Sequence, residues 1–353
     1  MADSLFPRKE AATRFEWGRK KDVAKYPTYG REEIPYGDEA AFRQVFREAY
    51  ENGREMVDSG RVADYIPELR KADHRAFGIC LLKKDGGFLS HGDVETRFSM
   101  QSICKTVMLA AALRAFGFDK TFSHVKMEPS GDSFNSIIKL DTASNLPYNP
   151  MINAGAIQIA SLLVNRFSFE ELLDVTRNFC MDEGITLNRA VYESEWETGD
   201  RNRAIVYLLK SKGVLQADPR QTLDLYIRMC SLNVTARSLA GLGLILANDG
   251  QNPFTGEQLV HPQHIRTVNS IMFTCGMYDG SGEFGVKVGI PAKSGVGGGI
   301  TCGVKGRMGI GIYGPALDEK GNSIAGITAL EHLSHLMHLS VFDYQPVPES
   351  VGQ

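Results

Sequence analysis

The chain has 353 residues, enough for one large domain or two interleaved lobes around a sizeable core. With 43% hydrophobic and 23% charged residues it sits near the globular average, which excludes a fibrous or largely disordered chain. A net charge of −3 leaves no basic footprint for nucleic acid or an anionic membrane.

Residues 1–36 are basic at first and then rich in tyrosine, proline and glycine, which predicts a poorly ordered arm or an edge attachment. Met1 to Glu10 lack the apolar core of a signal peptide, and no apolar run is long enough to span a bilayer. A cytoplasmic protein with no membrane partner is expected. Asp38 caps a helix in which Phe42, Val45, Phe46, Ala49, Met56 and Val57 recur near helical spacing, and Gly60 to Pro67 form a loop.

Ala76–Leu82 is an apolar run, Lys83 to Gly87 turn it, and Phe88-Leu89-Ser90 return as a hairpin. Phe98 to Lys105 then lead from extended residues into Thr106–Leu113, a run of strong helix formers. From about 118 to 250 the pattern is mainly helical, over Asn153–Val164, Phe169–Phe179, Arg203–Lys210, Gln221–Met229 and Thr235–Ala247. Alternating Val286, Val288 and Ile290 predict a strand, Met308–Tyr313 predicts another, and a last helix covers Ser323–Leu339. Sheet segments near 76–100 and 284–340, with a helical lobe near 118–270 between them, imply an α+β fold. One antiparallel sheet flanked by helices, with that lobe inserted, would fill a catalytic domain over 37–345, followed by a tail at 346–353.

Six scattered cysteines (Cys80, Cys104, Cys180, Cys230, Cys275, Cys302) form no CxxC pair and read as reduced, packed thiols. His332, His335 and His338 recur at i, i+3 and i+6 without an acidic partner at HExxH spacing, so they fit one side of a helix better than a zinc site.

The chemistry concentrates where the apolar helix begins. Ser102 stands there with Lys105 one turn further along the same face. Serine needs an adjacent base to become a nucleophile, and lysine can be that base if burial or a neighbouring cation lowers its pKa. Such S-x-x-K spacing marks the serine β-lactamase and penicillin-binding-protein class. Ser123 with Lys126 and Ser136 with Lys139 share it, but Pro129 and Gly131 break the first context and the second runs into a loop. The plain alternative for Ser102 is an N-cap with a surface lysine.

Lys293-Ser294-Gly295 after the predicted strand is a mild variant of the K-T-G element of that class, and Gly297, Gly298 and Gly299 would let backbone approach a substrate. An N–H from this strand and that of Ser102 could together hold an oxyanion; the alternative is a glycine-rich turn. Ser231-Leu232-Asn233 has the S-x-N form but is equally explained as a helix cap leading into Val234-Thr235-Ala236. Tyr226 and Tyr278 are candidates for a proton-relaying hydroxyl.

Longer stretches carry a more specific likeness. Val62–Leu69, Tyr148–Ile157, Glu195–Asn202, Met277–Gly282 and Pro291–Val296 resemble the serine-dependent glutaminases, with matching segments from about 40 to 340. The resemblance implies a β-lactamase-like fold and conversion of L-glutamine and water to L-glutamate and ammonia, with no cofactor or metal. It implies Ser102 as nucleophile, Lys105 as base, Tyr278 beside that pair and Tyr226 lining the pocket. Tyr65, Asn153, Glu195 and Asn202 would hold the amino-acid head group, and Val296 would give its N–H to the oxyanion hole beside that of Ser102. The family often has Ser or Val where Cys104 stands. By the same resemblance the protein is expected to be a homodimer or homotetramer, and the loop from Gly131 to Pro147 is similar to the activation loop of phosphate-stimulated members. The rival readings are a β-lactamase or D,D-peptidase and a non-catalytic amino-acid sensor.

Overall fold

The computed structural model describes residues 39–130 and 146–343. The expected arm at 1–36, the Asp38 cap, most of the loop from Gly131, the Ser136–Lys139 spacing and the tail at 346–353 lie outside those residues. In chain order the strands are β1 (Gly78–Lys83), β2 (Phe88–Gly92), β3 (Phe98–Ser99), β4 (Thr186–Leu187), β5 (Leu232–Val234), β6 (Ala292–Gly295), β7 (Gly299–Val304) and β8 (Met308–Tyr313). Five of them form an antiparallel sheet in the order β2-β1-β8-β7-β6, and β5 pairs with β3 and β4 in a second, short sheet. The hairpin β1–β2 thus meets strands from the far end of the chain, with Gly78 opposite Tyr313 and Lys83 opposite Met308.

Helices cover both faces of the main sheet. One face carries Ile79, Leu81, Ile310 and Ile312 against α1 (Glu39–Glu55), through Phe42, Val45, Phe46 and Ala49. The last helix, α11 (Ile324–Met337), adds Ala325, Ala329, Leu330 and Leu333 to the same cluster. Its first turn is capped by Ser323, which accepts the Gly326 N–H. On the opposite face β8 offers glycine at alternate positions. A Cβ at Gly309 would lie 2.0 Å from the Ala240 carbonyl, and one at Gly311 would lie 1.9 Å from that of Ala236. Both carbonyls belong to α8 (Ala236–Ala247), which packs backbone to backbone on the sheet because nothing larger than hydrogen intervenes.

The remaining helices pack on α8 and on one another. They are α2 (Cys104–Phe122), α3 (Asn153–Leu163), α4 (Phe169–Cys180), α5 (Arg189–Thr198), α6 (Asp200–Ser211), α7 (Pro219–Cys230), α9 (Pro262–Cys275) and α10 (Ser281–Lys287). Several begin at signals visible in the sequence: Ser168 and Glu171 form a capping box before α4, and Asp218 with Pro219 opens α7. α2 is buried almost all round from Cys104 to Leu113, which accounts for its apolar run without polar alternation. All six cysteines are buried free thiols.

Three local expectations need correction. Gly285–Pro291 is not a strand: Ser281–Lys287 is helical, with Phe284 and Val288 buried four residues apart and Val286 89% exposed, and the strand starts at Ala292. Ser231-Leu232-Asn233 does not open a helix: Ser231 closes α7, Leu232 and Asn233 belong to strand β5, and the N-cap of α8 is Thr235, reciprocally bonded with Ser238. Ser102 does not open α2 itself but sits in a 3-10 turn, Gln101–Ile103, just before it.

Candidate active site

Ser102 is held by strain and close packing. Gln101, immediately before it, has a left-handed backbone (φ 47°), which costs a non-glycine residue about 1 kcal/mol. The neighbouring edge strand fixes the turn from the other side: a Cβ at Gly295 would lie 2.8 Å from the Met100 carbonyl and 3.4 Å from the Ser102 nitrogen. Glycine at the end of β6 therefore lets strand backbone lie against the serine's own N–H. Tyr278 also has a left-handed backbone (φ 55°), and its hydroxyl interacts with the Ser102 and Ser294 hydroxyls and the Val296 N–H. Burial pushes that phenol well above its ordinary value, so it is a neutral hydroxyl at physiological pH.

Lys105 is buried at 1% exposure. Burial lowers its pKa to about 8, partly opposed by the fields of Cys230, Cys104 and Glu195. Its amine donates to Asn153 Oδ1 at 2.7 Å and to the Met151 carbonyl at 3.2 Å. From Asn153 the bonds run onward. Tyr226 donates to the same Oδ1 at 3.2 Å, Asn153 Nδ2 donates to Asn202 Oδ1 at 3.0 Å, and Asn202 Nδ2 donates to Glu195 Oε1 at 3.3 Å. Every donor in this chain meets an acceptor when Glu195 is ionised, so the network fixes both amide orientations. Burial raises the Glu195 pKa to about 7, opposed by the nearby Gln101 amide and the field of Lys105. Among the described residues Glu195 makes no salt bridge, although a buried carboxylate calls for a cation.

The site residues expected from the sequence therefore converge from separate elements. Ser102 comes from the 3-10 turn before α2, Lys105 from the first turn of α2, Asn153 from the first position of α3, Glu195 from α5, Asn202 from α6 and Tyr226 from α7. Tyr65 stands at the rim, half exposed, with its hydroxyl donating to Gln101 Oε1 at 2.7 Å. Val296 follows β6 and packs with Tyr278, Ile66, Leu69 and Leu317 in a small separate cluster. Ser123 caps the C-terminus of α2, so the spacing Ser123–Lys126 takes no part in the site.

Lys293 has a different place from the one its motif suggested. It is fully buried, donates to the Gly276 and Ser294 carbonyls at 3.0 and 2.5 Å, and lies 4.4 Å over the Tyr278 ring. Burial and the field of Lys105 hold its pKa well below the usual lysine range. Gln101, Met151 and Cys230 were not singled out as site residues by sequence reasoning, yet they touch the expected ones, Gln101 at Tyr65, Met151 at Lys105 and the Cys230 thiol at the Tyr226 hydroxyl. Only adjacency to Ser102 and to Asn153 could have flagged the first two. Among the described residues no group of three or more His, Cys, Asp or Glu side chains could hold a metal ion.

The sequence matches the glutaminase family model over residues 60–342. It is 49% identical to glutaminase 2 of Clostridium perfringens over 296 residues, covering 83% of this chain and 97% of that one. It is also 49% identical to a glutaminase of Clostridium botulinum over 304 residues, covering 85% of this chain and 99% of the relative. Among solved structures, the probable glutaminase ybaS superposes with a TM-score of 0.83 at 34% identity, over 86% of this chain and 99% of that one. The Bacillus subtilis glutaminase YbgJ, solved as a covalent complex with 5-oxo-L-norleucine formed from 6-diazo-5-oxo-L-norleucine, superposes with a TM-score of 0.77 at 37% identity. That superposition covers 85% of this chain and 99% of YbgJ. With an α+β, serine β-lactamase-like fold and a family match across nearly all described residues, this chain belongs to the glutaminase family.

Proposed function

We propose that this protein hydrolyses L-glutamine to L-glutamate and ammonia through a serine acyl-enzyme. The observation that carries the reading is a buried lysine amine, one turn from a serine, joined by hydrogen bonds through Asn153 and Asn202 to a buried carboxylate with no cation of its own. The substrate's α-ammonium would supply that cation at Glu195. Each asparagine Nδ2 has two hydrogens and engages one of them in the network, which leaves one apiece for the substrate carboxylate; the Tyr65 hydroxyl at the rim would join them by turning its hydrogen away from Gln101 Oε1. In this reading the side-chain amide faces Ser102, with Tyr226 closing the pocket beside Asn153.

In the acylation step neutral Lys105 takes the Ser102 proton as the oxygen attacks the amide carbon. The oxyanion rests on the N–H groups of Ser102 and Val296, the latter exchanging the Tyr278 oxygen for that of the substrate. Collapse expels ammonia, protonated through the Lys105–Tyr278 pair. Water, activated by the same base, then hydrolyses the γ-glutamyl ester. The covalent product of YbgJ with a diazoketone analogue of glutamine supports a nucleophile at the same kind of site.

Ser102→Ala should lower kcat by at least about 10⁴-fold while L-glutamate still binds by calorimetry. Near-normal ammonia release from that variant would overturn the serine mechanism. The same reading takes residues 37–345 as the catalytic domain, with an arm before it and a tail after it, in a cytoplasmic homodimer or homotetramer open to phosphate activation. Membership of the glutaminase family supports it. No helix among the described residues is long and apolar enough to cross a membrane.

A further inference from the structure

We propose that Asn149 is a positioning residue for the base: it holds the Met151 carbonyl against Lys105 so that the amine can present only its lone pair to Ser102. The inference rests on the reading of Lys105 as a neutral base. A neutral primary amine has two hydrogens and one lone pair at roughly tetrahedral directions. Two fixed acceptors, Asn153 Oδ1 at 2.7 Å and the Met151 carbonyl at 3.2 Å, take both hydrogens of Lys105. Rotation about the Cε–Nζ bond is then blocked, and the lone pair is left for the proton of the serine. With one acceptor displaced, the amine turns freely and can offer Ser102 a hydrogen instead.

Asn153 is itself one of the two acceptors and also a substrate contact in the proposed pocket. The Met151 carbonyl is backbone and needs something to fix it. Packing does not suffice, because a cavity of about 110 Å³ lies against this turn, lined by Asn149, Met151, Ile152 and Tyr278 among others. Asn149 supplies the constraint. It is buried at 1% exposure, and its Oδ1 accepts the Met151 and Ile152 N–H groups at 3.0 and 3.2 Å. Its Nδ2 donates to the Glu128 carbonyl at 2.8 Å, which anchors the side chain from behind. This is an Asx turn with Pro150 at its second position, where the ring fixes φ. The Asn149 carbonyl abuts Gly155 of α3, where a Cβ would lie 1.9 Å away, so the turn is seated on the helix that begins with Asn153. Among the described residues Asn149 makes no hydrogen bond to Glu195, Asn202 or Tyr65.

The test compares Asn149→Ala with the parent enzyme. Loss of the turn should lower kcat by roughly 10- to 100-fold, the cost of a slightly misplaced reacting group, while KM for glutamine and Kd for L-glutamate stay within about threefold. Should the alanine variant fail to fold, Asn149→Ser, whose short hydroxyl cannot hold both N–H groups, takes its place with the same expected loss. A folded Ala or Ser variant with parental kcat overturns the proposal, as does a loss of glutamate affinity that matches the loss of kcat. Lys105→Ala, assayed alongside, separates the two readings. Turnover surviving there removes the base itself, whereas a dead Lys105→Ala beside an unaffected Asn149→Ala removes only the positioning.

Discussion

At the scale of residues, two ionisable groups have been moved towards neutrality by burial, in opposite senses. Lys105 titrates near 8 and Glu195 near 7, and the proposed mechanism needs the first uncharged and the second ionised. Both conditions improve as pH rises. The logarithm of kcat/KM should therefore climb with slope two below about 7, slope one between the two values, and level off above about 8. Ammonia release measured from about pH 5.5 to 9.5 would trace it, and Glu195→Gln should erase the lower break while raising KM. A profile that falls across this range would contradict a neutral lysine base. Glu195 and the two asparagines were legible in the sequence because each stands inside a long, specific stretch, and Ser102 and Lys105 because their spacing leads into a long apolar helix. Gln101 was not, and Lys293 was flagged by its K-S-G motif but not in its actual place, because what distinguishes them is three-dimensional. One is a strained backbone beside the serine, and the other is an amine folded beneath a tyrosine ring.

At the scale of elements, the sheet and the helices that carry the site are tied through β8. Its sequence, Met-Gly-Ile-Gly-Ile-Tyr, sends both isoleucines to the α1–α11 side and both glycines to α8. Gly311→Val would push a branched side chain into the Ala236 carbonyl, and α8 would have to move off the sheet or the strand would have to bend. Such overpacking should cost at least about 2 kcal/mol. Gly282→Ala is the contrast: its Cβ would meet open space inside α10, so helix propensity alone should stabilise by about 0.5–1 kcal/mol. Denaturant melts of both variants would check the pair, and equal midpoints would refute the packing argument. The same alternation shows why strands here were only partly readable. Period two in Met308–Tyr313 marked a true strand buried on both faces, whereas Val286, Val288 and Ile290 show the same period beside a short helix. In that helix the decisive spacing was the four residues from Phe284 to Val288, hidden in a segment of only seven residues. Helices with Ser, Thr or Asp caps and an apolar stripe were found within a few residues of their observed ends, because cap and stripe are both local signals.

At the scale of the whole molecule, a site assembled from six or more elements concentrates buried charge where they meet, and stability should record it. Glu195 binds its proton more tightly in the folded chain than in the unfolded one, about 7 against 4.5. Between those values the native state holds more protons, so stability falls as pH rises through that window. Lys105 has the reverse shift, about 8 against 10.5, so the unfolded chain holds the extra proton there and stability rises with pH between them. The two contributions are least favourable together between pH 7 and 8, where both groups are charged in the folded protein. Activity sets in over the same range, so the penalty is tied to function rather than to the fold. Glu195→Gln keeps an oxygen for the Asn202 amide and removes the buried charge. In the absence of substrate it should therefore be more stable than the parent at pH 7.5, by up to about 3 kcal/mol, and indistinguishable from it near pH 4. Thermal melts at the two pH values would decide the matter. A variant less stable than the parent at pH 7.5 would mean that the carboxylate already has an adequate partner, and the case for a substrate ammonium at Glu195 would fall with it.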